Sequence, residues 1–275
     1  MPVPEPSTEF PPNFPLSERL LNEPCILGID EAGRGPVLGP LVYGIFICPL
    51  SQLSRLKTLG VADSKALTLE DRESIFRSFV DDGRFGWFTR ILTPLEISKA
   101  MLSEVKYNLN ELSYDTVYGL IERVIAHNVQ IEHVYVDTLG KADKYRERLL
   151  SRFPNVKFTV APKADALYPT VSAASIVAKV TRDDCISRWV FTKEPRSRNY
   201  GCGYPGDATT VAWLHDNVHP LLGYDNDFVR FSWASCQAVL DKLALPIEIA
   251  KTEEPTKKVR SGMAEICSAK HVLNF

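Results

Sequence analysis

Two short apolar runs in this chain end in acid, and that pairing constrains the fold more than any other feature. Cys25-Ile26-Leu27-Gly28-Ile29 leads straight into Asp30-Glu31, and Val134-Tyr135-Val136 into Asp137. Runs of this length and character read as strands. If the two are adjacent and parallel, Asp30, Glu31 and Asp137 meet at the carboxyl edge of one sheet, where open α/β sheets bind ligands. A fourth acid, Asp165, follows a further apolar run in Pro162-Lys163-Ala164-Asp165-Ala166. Its place near the start of a helix would aim it at the same edge.

The surrounding pattern predicts an α/β chain. Strands are expected at residues 25–30, 41–48, 85–92, 133–137 and 156–160, with Gly35, Pro36, Gly39 and Pro40 punctuating the first connection. Thr68-Leu69-Glu70-Asp71 and Thr93-Pro94-Leu95-Glu96 match helix starts, the second with proline at the first helical position. An amphipathic helix fits 112–127, where Val117, Leu120, Ile121, Val124 and Ile125 share one face. The stretch 170–190 is rich in Ala and small residues, so its helix should lie close on the sheet. Strands first, then strands alternating with helices, give a mixed sheet whose later members run parallel through helical crossovers. After a loop-rich stretch at 192–207, helices near 209–217 and 232–243 form a C-terminal helical extension.

Composition narrows the class. With 275 residues, 45% hydrophobic and 24% charged, the chain can bury a sizeable core. The N-terminal residues 1–16 are proline-rich without an apolar run, which excludes a signal peptide or membrane anchor there and predicts an intracellular protein. Six scattered cysteines with no CxxC pair read as buried reduced thiols. A net charge of -2 excludes coating of nucleic acid by global attraction, so any such binding must come from local clusters.

Clustered carboxylates without His or Cys are hard oxygen ligands, suited to Mg²⁺ or Mn²⁺ rather than zinc. Two such ions about 3.5–4 Å apart can activate water and stabilise a leaving oxygen in phosphodiester hydrolysis. Each acid taken singly reads equally as a strand-end or capping carboxylate; four at the ends of three central strands favour the metal reading.

The segment Gly28-Ile29-Asp30-Glu31-Ala32-Gly33-Arg34-Gly35-Pro36-Val37-Leu38-Gly39-Pro40-Leu41-Val42 resembles the opening motif of type 2 ribonucleases H. The likeness continues, in family order, through Ala62-Asp63-Ser64-Lys65, Val136-Asp137-Thr138, Lys163-Ala164-Asp165, Ser172-Ala173-Ala174-Ser175-Ile176-Val177-Ala178-Lys179 and Gly203-Tyr204-Pro205. It covers roughly residues 23–237. The resemblance implies a ribonuclease H-like fold, a mixed five-stranded sheet flanked by helices, and assigns Asp30, Glu31, Asp137 and Asp165 as catalytic metal ligands. The expected organisation is a flexible segment at 1–20, a catalytic domain at 21–192, the helical extension at 193–247 completing the substrate site, and a flexible tail at 248–275.

The implied activity is endonucleolytic: hydrolysis of the RNA strand of RNA/DNA hybrids, and nicking 5′ of single ribonucleotides embedded in duplex DNA. In Gly33-Arg34-Gly35 two of three positions lack bulk, so the backbone can approach a sugar whose 2′-hydroxyl distinguishes RNA from DNA. By resemblance Tyr204 packs on the neighbouring sugar and contacts that hydroxyl, and Asn108 contacts the DNA strand. Phosphate donors would be Ser64, Lys65, Lys163, Lys179 and Arg182; for each cation a solvated surface charge is an equal reading. Val105-Lys106-Tyr107-Asn108-Leu109-Asn110 and Asp227-Phe228-Val229-Arg230-Phe231-Ser232-Trp233 are similar to the eukaryotic branch, whose catalytic chain works in a nuclear heterotrimer with two accessory subunits. The apolar residues of the second segment read equally as internal core.

Two rivals share part of this pattern. A ribonuclease H-like DNA nuclease would keep the acids but needs no reader of the 2′-hydroxyl, and a non-catalytic binding subunit has no need of four intact acids. His215-Asp216-Asn217-Val218-His219 has zinc-ligand spacing, but Pro220 follows and no HExxH glutamate is present, so it reads as structural. Thr256-Lys257-Lys258-Val259-Arg260 is too short a basic cluster for a full targeting signal and reads as solvated tail.

Overall fold

The structure, a computed structural model, describes residues 10–61, 67–104, 107–138, 140–224 and 227–245. Its helices are α1 (Glu18–Asn22), α2 (Leu53–Thr58), α3 (Leu69–Asp82), α4 (Pro94–Met101), α5 (Leu109–Ala126), α6 (Ala142–Arg152), α7 (Ala164–Leu167), α8 (Pro169–Ser187), α9 (Ala208–Asp216) and α10 (Ala234–Leu243). Its strands are β1 (Cys25–Ala32), β2 (Leu41–Pro49), β3 (Gly86–Leu92), β4 (Ile131–Asp137) and β5 (Phe158–Ala161). All of them lie in one compact unit that runs through Ala244.

The five strands form a single sheet in the order β3-β2-β1-β4-β5. β1 and β2 pair antiparallel across a short connection, and β2 and β3 pair antiparallel although α2 and α3 lie between them in sequence; β1–β4 and β4–β5 are parallel. This is the mixed sheet expected from the sequence. β1 continues two residues past the predicted end: Asp30 pairs with Gly44, Glu31 with Tyr43 and Ala32 with Val42, so both acids belong to the ladder.

Alternation along the strands sorts side chains onto two faces. Leu27, Ile29, Tyr43, Ile45, Ile47, Val134 and Val136 pack with Val117, Leu120, Ile121 and Val124 of α5 and with Tyr145 and Leu149 of α6. Ile26, Phe46 and Cys48 face the other way, onto Phe76 and Phe79 of α3 and Ala173, Ala174, Ile176 and Val177 of α8. Each fully buried aromatic contributes about 1.5–3 kcal/mol of transfer free energy. The small residues of α8 do what their size predicts. A Cβ at Gly28 would overlap the Thr170 backbone, and one at Gly44 would stand 2.8 Å from the Ala174 carbonyl, so α8 lies close on β1 and β2.

Helix starts follow the local signals. Thr68 accepts from the Asp71 N–H while Asp71 accepts from the Thr68 N–H, a complete capping box. Thr93 accepts from the Glu96 N–H, with Pro94 in the first turn. α5 begins three residues before the predicted position because Asn108 caps it, accepting from the N–H groups of Asn110 and Glu111.

The N-terminal segment differs from the flexible stretch expected at 1–20. From Phe10 onward it packs against β3 and α3: Phe14 stacks on Trp87, Phe10 meets Phe76 edge-on, and Trp87 Nε1 donates to the Pro11 carbonyl. Composition signalled disorder, but two aromatics among the prolines supply the apolar area that ordering requires. Cys25, Cys48, Cys185 and Cys236 are buried free thiols as expected, whereas Cys202 is exposed on a turn. Among the described residues no helix is long and apolar enough to cross a membrane.

Candidate active site

The parallel β1–β4 register ends with Ile29 opposite Val136, which sets Asp30 and Asp137 side by side on the next step. Strand parity places Asp30 with Ile26 and Gly28 on the α8 face, where the Ser175 side chain hydrogen-bonds it. The Asp30 carboxylate also accepts from the Glu31 N–H at 2.8 Å. Asp137 Oδ1 accepts from the Ala164 N–H at 2.8 Å, which ties the end of β4 to the start of α7. Lys163, just before it, holds φ +56, a left-handed conformation uncommon for a side-chain-bearing residue, and so turns the chain tightly enough for Ala164 to reach Asp137. Asp165 follows on α7 and is buried.

Glu31, the next residue along β1, points to the opposite face. There it lies close enough to Arg34, Tyr43 and Tyr145 to interact with each electrostatically. The four acids therefore straddle the sheet edge. Burial pushes the Asp30 carboxyl well above the usual range, and repulsion from Asp137 and Asp165 adds to the shift. Glu31 is raised in the same way, by burial first and by Asp30 second.

The acids do not form a ready-made cage. Among the described residues no group of three or more His, Cys, Asp or Glu side chains is arranged to hold a metal ion. The donor set nevertheless fits a hard divalent cation: four carboxylates, no nitrogen or sulfur, and two acids, Asp30 and Glu31, whose charge is opposed by burial and by neighbouring carboxylates.

The glycine loop leaves β1 directly after the acids. Gly33 has φ +83; a Cβ there would overlap Arg182 Nε and come within 2.7 Å of the Pro40 carbonyl. Gly35 is exposed, and a Cβ on it would stand 3.0 Å from the ring of Tyr204, itself 49% exposed. Loop and aromatic are thus neighbours across more than 160 residues of sequence, and both face solvent.

Several residues read from the sequence as substrate contacts have structural partners. Arg34 Nη1 donates to Tyr43 Oη and Ser113 Oγ, and Nη2 to Asn110 Oδ1, so its guanidinium is turned onto α5. Arg182 donates from Nε to the Pro40 carbonyl at 3.0 Å, bracing the loop from below where surface exposure was one expectation. Asn108 uses Oδ1 as the α5 cap, leaving its amide NH₂ on the exposed side. Lys163 is exposed beside Asp165, and Lys179 is half-buried on α8. Ser64 and Lys65 lie outside the described residues, as does the basic cluster at Thr256-Lys257-Lys258-Val259-Arg260. His219 Nδ1 accepts from the N–H groups of Leu221 and Leu222, a turn-forming role that matches the structural reading of that histidine pair.

One residue with direct bearing on the loop was not singled out from the sequence. Arg230 is fully buried and donates from Nε to the Gly39 carbonyl, from Nη1 to Arg34 and from Nη2 to Gly33, at 2.9, 3.1 and 2.6 Å. Burial pushes its pKa down to about 9, with Arg182 adding repulsion. Trp233, over whose ring Arg230 lies, donates from Nε1 to the Gly35 carbonyl. The signal was a charge inside an apolar run, Phe228-Val229-Arg230-Phe231. Phe228 and Val229 are core, and Leu38 bridges Val229 as in a short antiparallel pair.

Comparison with known proteins identifies the family. A family model described as Ribonuclease HII matches residues 27–236. A ribonuclease H2 subunit from Rattus norvegicus is 49% identical over 247 residues, covering 88% of this chain and 82% of that protein. Its namesake from Arabidopsis thaliana is 45% identical over 257 residues, covering 93% and 86%. Among solved structures, the ribonuclease H2 from Pyrococcus horikoshii OT3 superposes with a TM-score of 0.66 at 30% identity, covering 80% of this chain and 98% of that one. The chain belongs to the ribonuclease HII family.

Proposed function

We propose that this chain is the catalytic subunit of a type 2 ribonuclease H, cutting the RNA strand of RNA/DNA hybrids and nicking duplex DNA 5′ of a single embedded ribonucleotide. The products are 3′-hydroxyl and 5′-phosphate ends. The observation that carries the reading is the β1–β4 register, which sets Asp30 beside Asp137 immediately before the glycine loop.

Asp30, Glu31, Asp137 and Asp165 would hold Mg²⁺ or Mn²⁺. The chemistry a divalent cation supplies at such acids is activation of water and neutralisation of charge on the leaving oxygen. The chain's own residues position the strand. With the carbonyls of Gly33, Arg34 and Gly35 bonded from below by Arg230 and Trp233, the loop offers its N–H side to a 2′-hydroxyl. Tyr204, next to Gly35, packs on the adjoining sugar. Lys163, Lys179 and the Asn108 amide are the candidate backbone contacts; Ser64 and Lys65, outside the described residues, are further candidates on their sequence motif alone.

The sequence features shared with the eukaryotic branch, and the names of the relatives as subunits, support assembly with two accessory subunits and work in the nucleus. The test is cutting, with Mg²⁺, of a duplex carrying one ribonucleotide against the same duplex lacking it. A single nick 5′ of the ribonucleotide is expected, and equal cutting of the all-DNA duplex would overturn the reading.

A further inference from the structure

The turn that carries Tyr204 is built around a carboxylate. Asp207 Oδ2 accepts from the Cys202 N–H and from Thr210 Oγ1, each at 2.9 Å. Its contacts to the first turn of α9, from the N–H groups of Thr209 and Thr210, are longer at 3.3 Å each. An aspartate serving only as a helix cap would show the reverse, short bonds into the helix and none behind it. Gly201, at φ +66, makes room for the carboxylate: a Cβ there would overlap Oδ2.

Thr210 extends the same network. Fully buried, its hydroxyl oxygen accepts from the Gly203 N–H at 2.9 Å, and its single proton serves either the Tyr200 carbonyl at 2.8 Å or Asp207. Gly203 then reaches across to the glycine loop, its carbonyl accepting from the Val37 N–H at 2.8 Å and the Leu38 N–H at 3.4 Å. The chain of bonds runs unbroken from Asp207 through the turn to the segment that presents Gly35.

We infer that Asp207, acting with Thr210, is the positioning residue that holds Tyr204 against Gly35 and so sets discrimination for a ribonucleotide. The inference deepens the function proposed above and rests on it. Hydrogen bonds from the Cys202 N–H first and the Thr210 hydroxyl second pull its pKa down to about 2, so it remains an anion at any working pH. An unscreened anion three residues from Tyr204 would repel a phosphate backbone; here the donors' dipoles oppose its charge.

Asp207→Ser separates the two roles, because serine is an equally good helix cap whose shorter side chain does not reach Cys202. Thr210→Val removes the hydroxyl at constant shape, and Thr210→Ser restores it. Amide hydrogen exchange at Cys202 and Gly203 should accelerate about tenfold in Asp207→Ser and Thr210→Val, the loss of one hydrogen bond, and return toward wild type in Thr210→Ser. The ratio of cutting on a single-ribonucleotide duplex to cutting on a long hybrid should fall by a similar factor. In a Tyr204→Ala background the same substitutions should leave the ratio unchanged.

An unaltered ratio, an equal loss on both substrates tracking thermal stability, or a full effect persisting without Tyr204 would each overturn the inference. A wild-type chain with no preference for ribonucleotides overturns the underlying function instead. In that case accelerated exchange still upholds Asp207 as the anchor of the turn, and unchanged exchange removes it.

Discussion

Asp30 and Asp137 stand side by side because their parallel strands stop pairing one step earlier, at Ile29 and Val136. Both carboxylates are thereby brought into mutual repulsion at an edge where no backbone bond between the two strands intervenes. Asp30→Asn and Asp137→Asn keep the shape of the side chain and remove the charge. Each is expected to lower cutting by about 10³-fold or more while leaving the melting temperature equal or higher, since a buried charge is removed. Steady-state cutting beside a thermal melt checks both halves; retained activity in either variant ends the metal-ligand assignment.

The raised pKa values of Asp30 and Glu31 have a consequence for stability. A carboxyl whose folded value lies above its unfolded value, about 4, favours folding less and less as pH climbs through the folded value. In EDTA the wild-type chain should therefore lose melting temperature between about pH 5 and pH 8 more steeply than Asp30→Asn does. Mg²⁺ should flatten that slope, because a bound cation offsets the charge that burial opposes. Parallel slopes for wild type and variant would show that these acids titrate without strain in the folded chain.

Gly33→Ala tests the loop. The new Cβ needs a left-handed backbone and meets Arg182 Nε and the Pro40 carbonyl at once, so either the loop or Arg182 must move. Strain of this kind costs about 1–3 kcal/mol. The expected result is a modest drop in melting temperature with a larger drop in cutting at single ribonucleotides than on long hybrids. Proportionate loss on both substrates would remove the loop from ribose reading.

How much of this was visible beforehand differs by residue. The strand-end acids were legible because an apolar run and the charge that closes it are both read directly from residue order, and the capping signals at Thr68 and Thr93 are local chemistry. Strand order was not legible, since nothing in residues 25–30 or 133–137 states that they are neighbours. Arg182 looked like a surface donor because sequence gives charge without burial; the fold turns it onto the Pro40 carbonyl. Tyr204 and Gly35 are brought together by the bonds from the Val37 and Leu38 N–H groups to the Gly203 carbonyl, which join segments too far apart for any periodicity to record.

Arg230 illustrates the same limit and gives the last test. Its acceptors lie 191 to 197 positions away in sequence, and three carbonyls from one loop converge on one planar group. A lysine has the charge but not the fork: one ammonium replaces three fixed donors and leaves at least one buried carbonyl without its bond. Arg230→Lys should destabilise the chain by about 1–3 kcal/mol, the cost of an unsatisfied buried group, read as a lower denaturation midpoint in urea. The catalytic acids are untouched, so a substantial share of cutting on a long hybrid should survive at temperatures where the variant is folded. Preference for a single ribonucleotide should fall, because the N–H side of the loop is no longer fixed from below. A variant that unfolds at the same urea concentration and retains full preference would show that the loop holds its shape without Arg230.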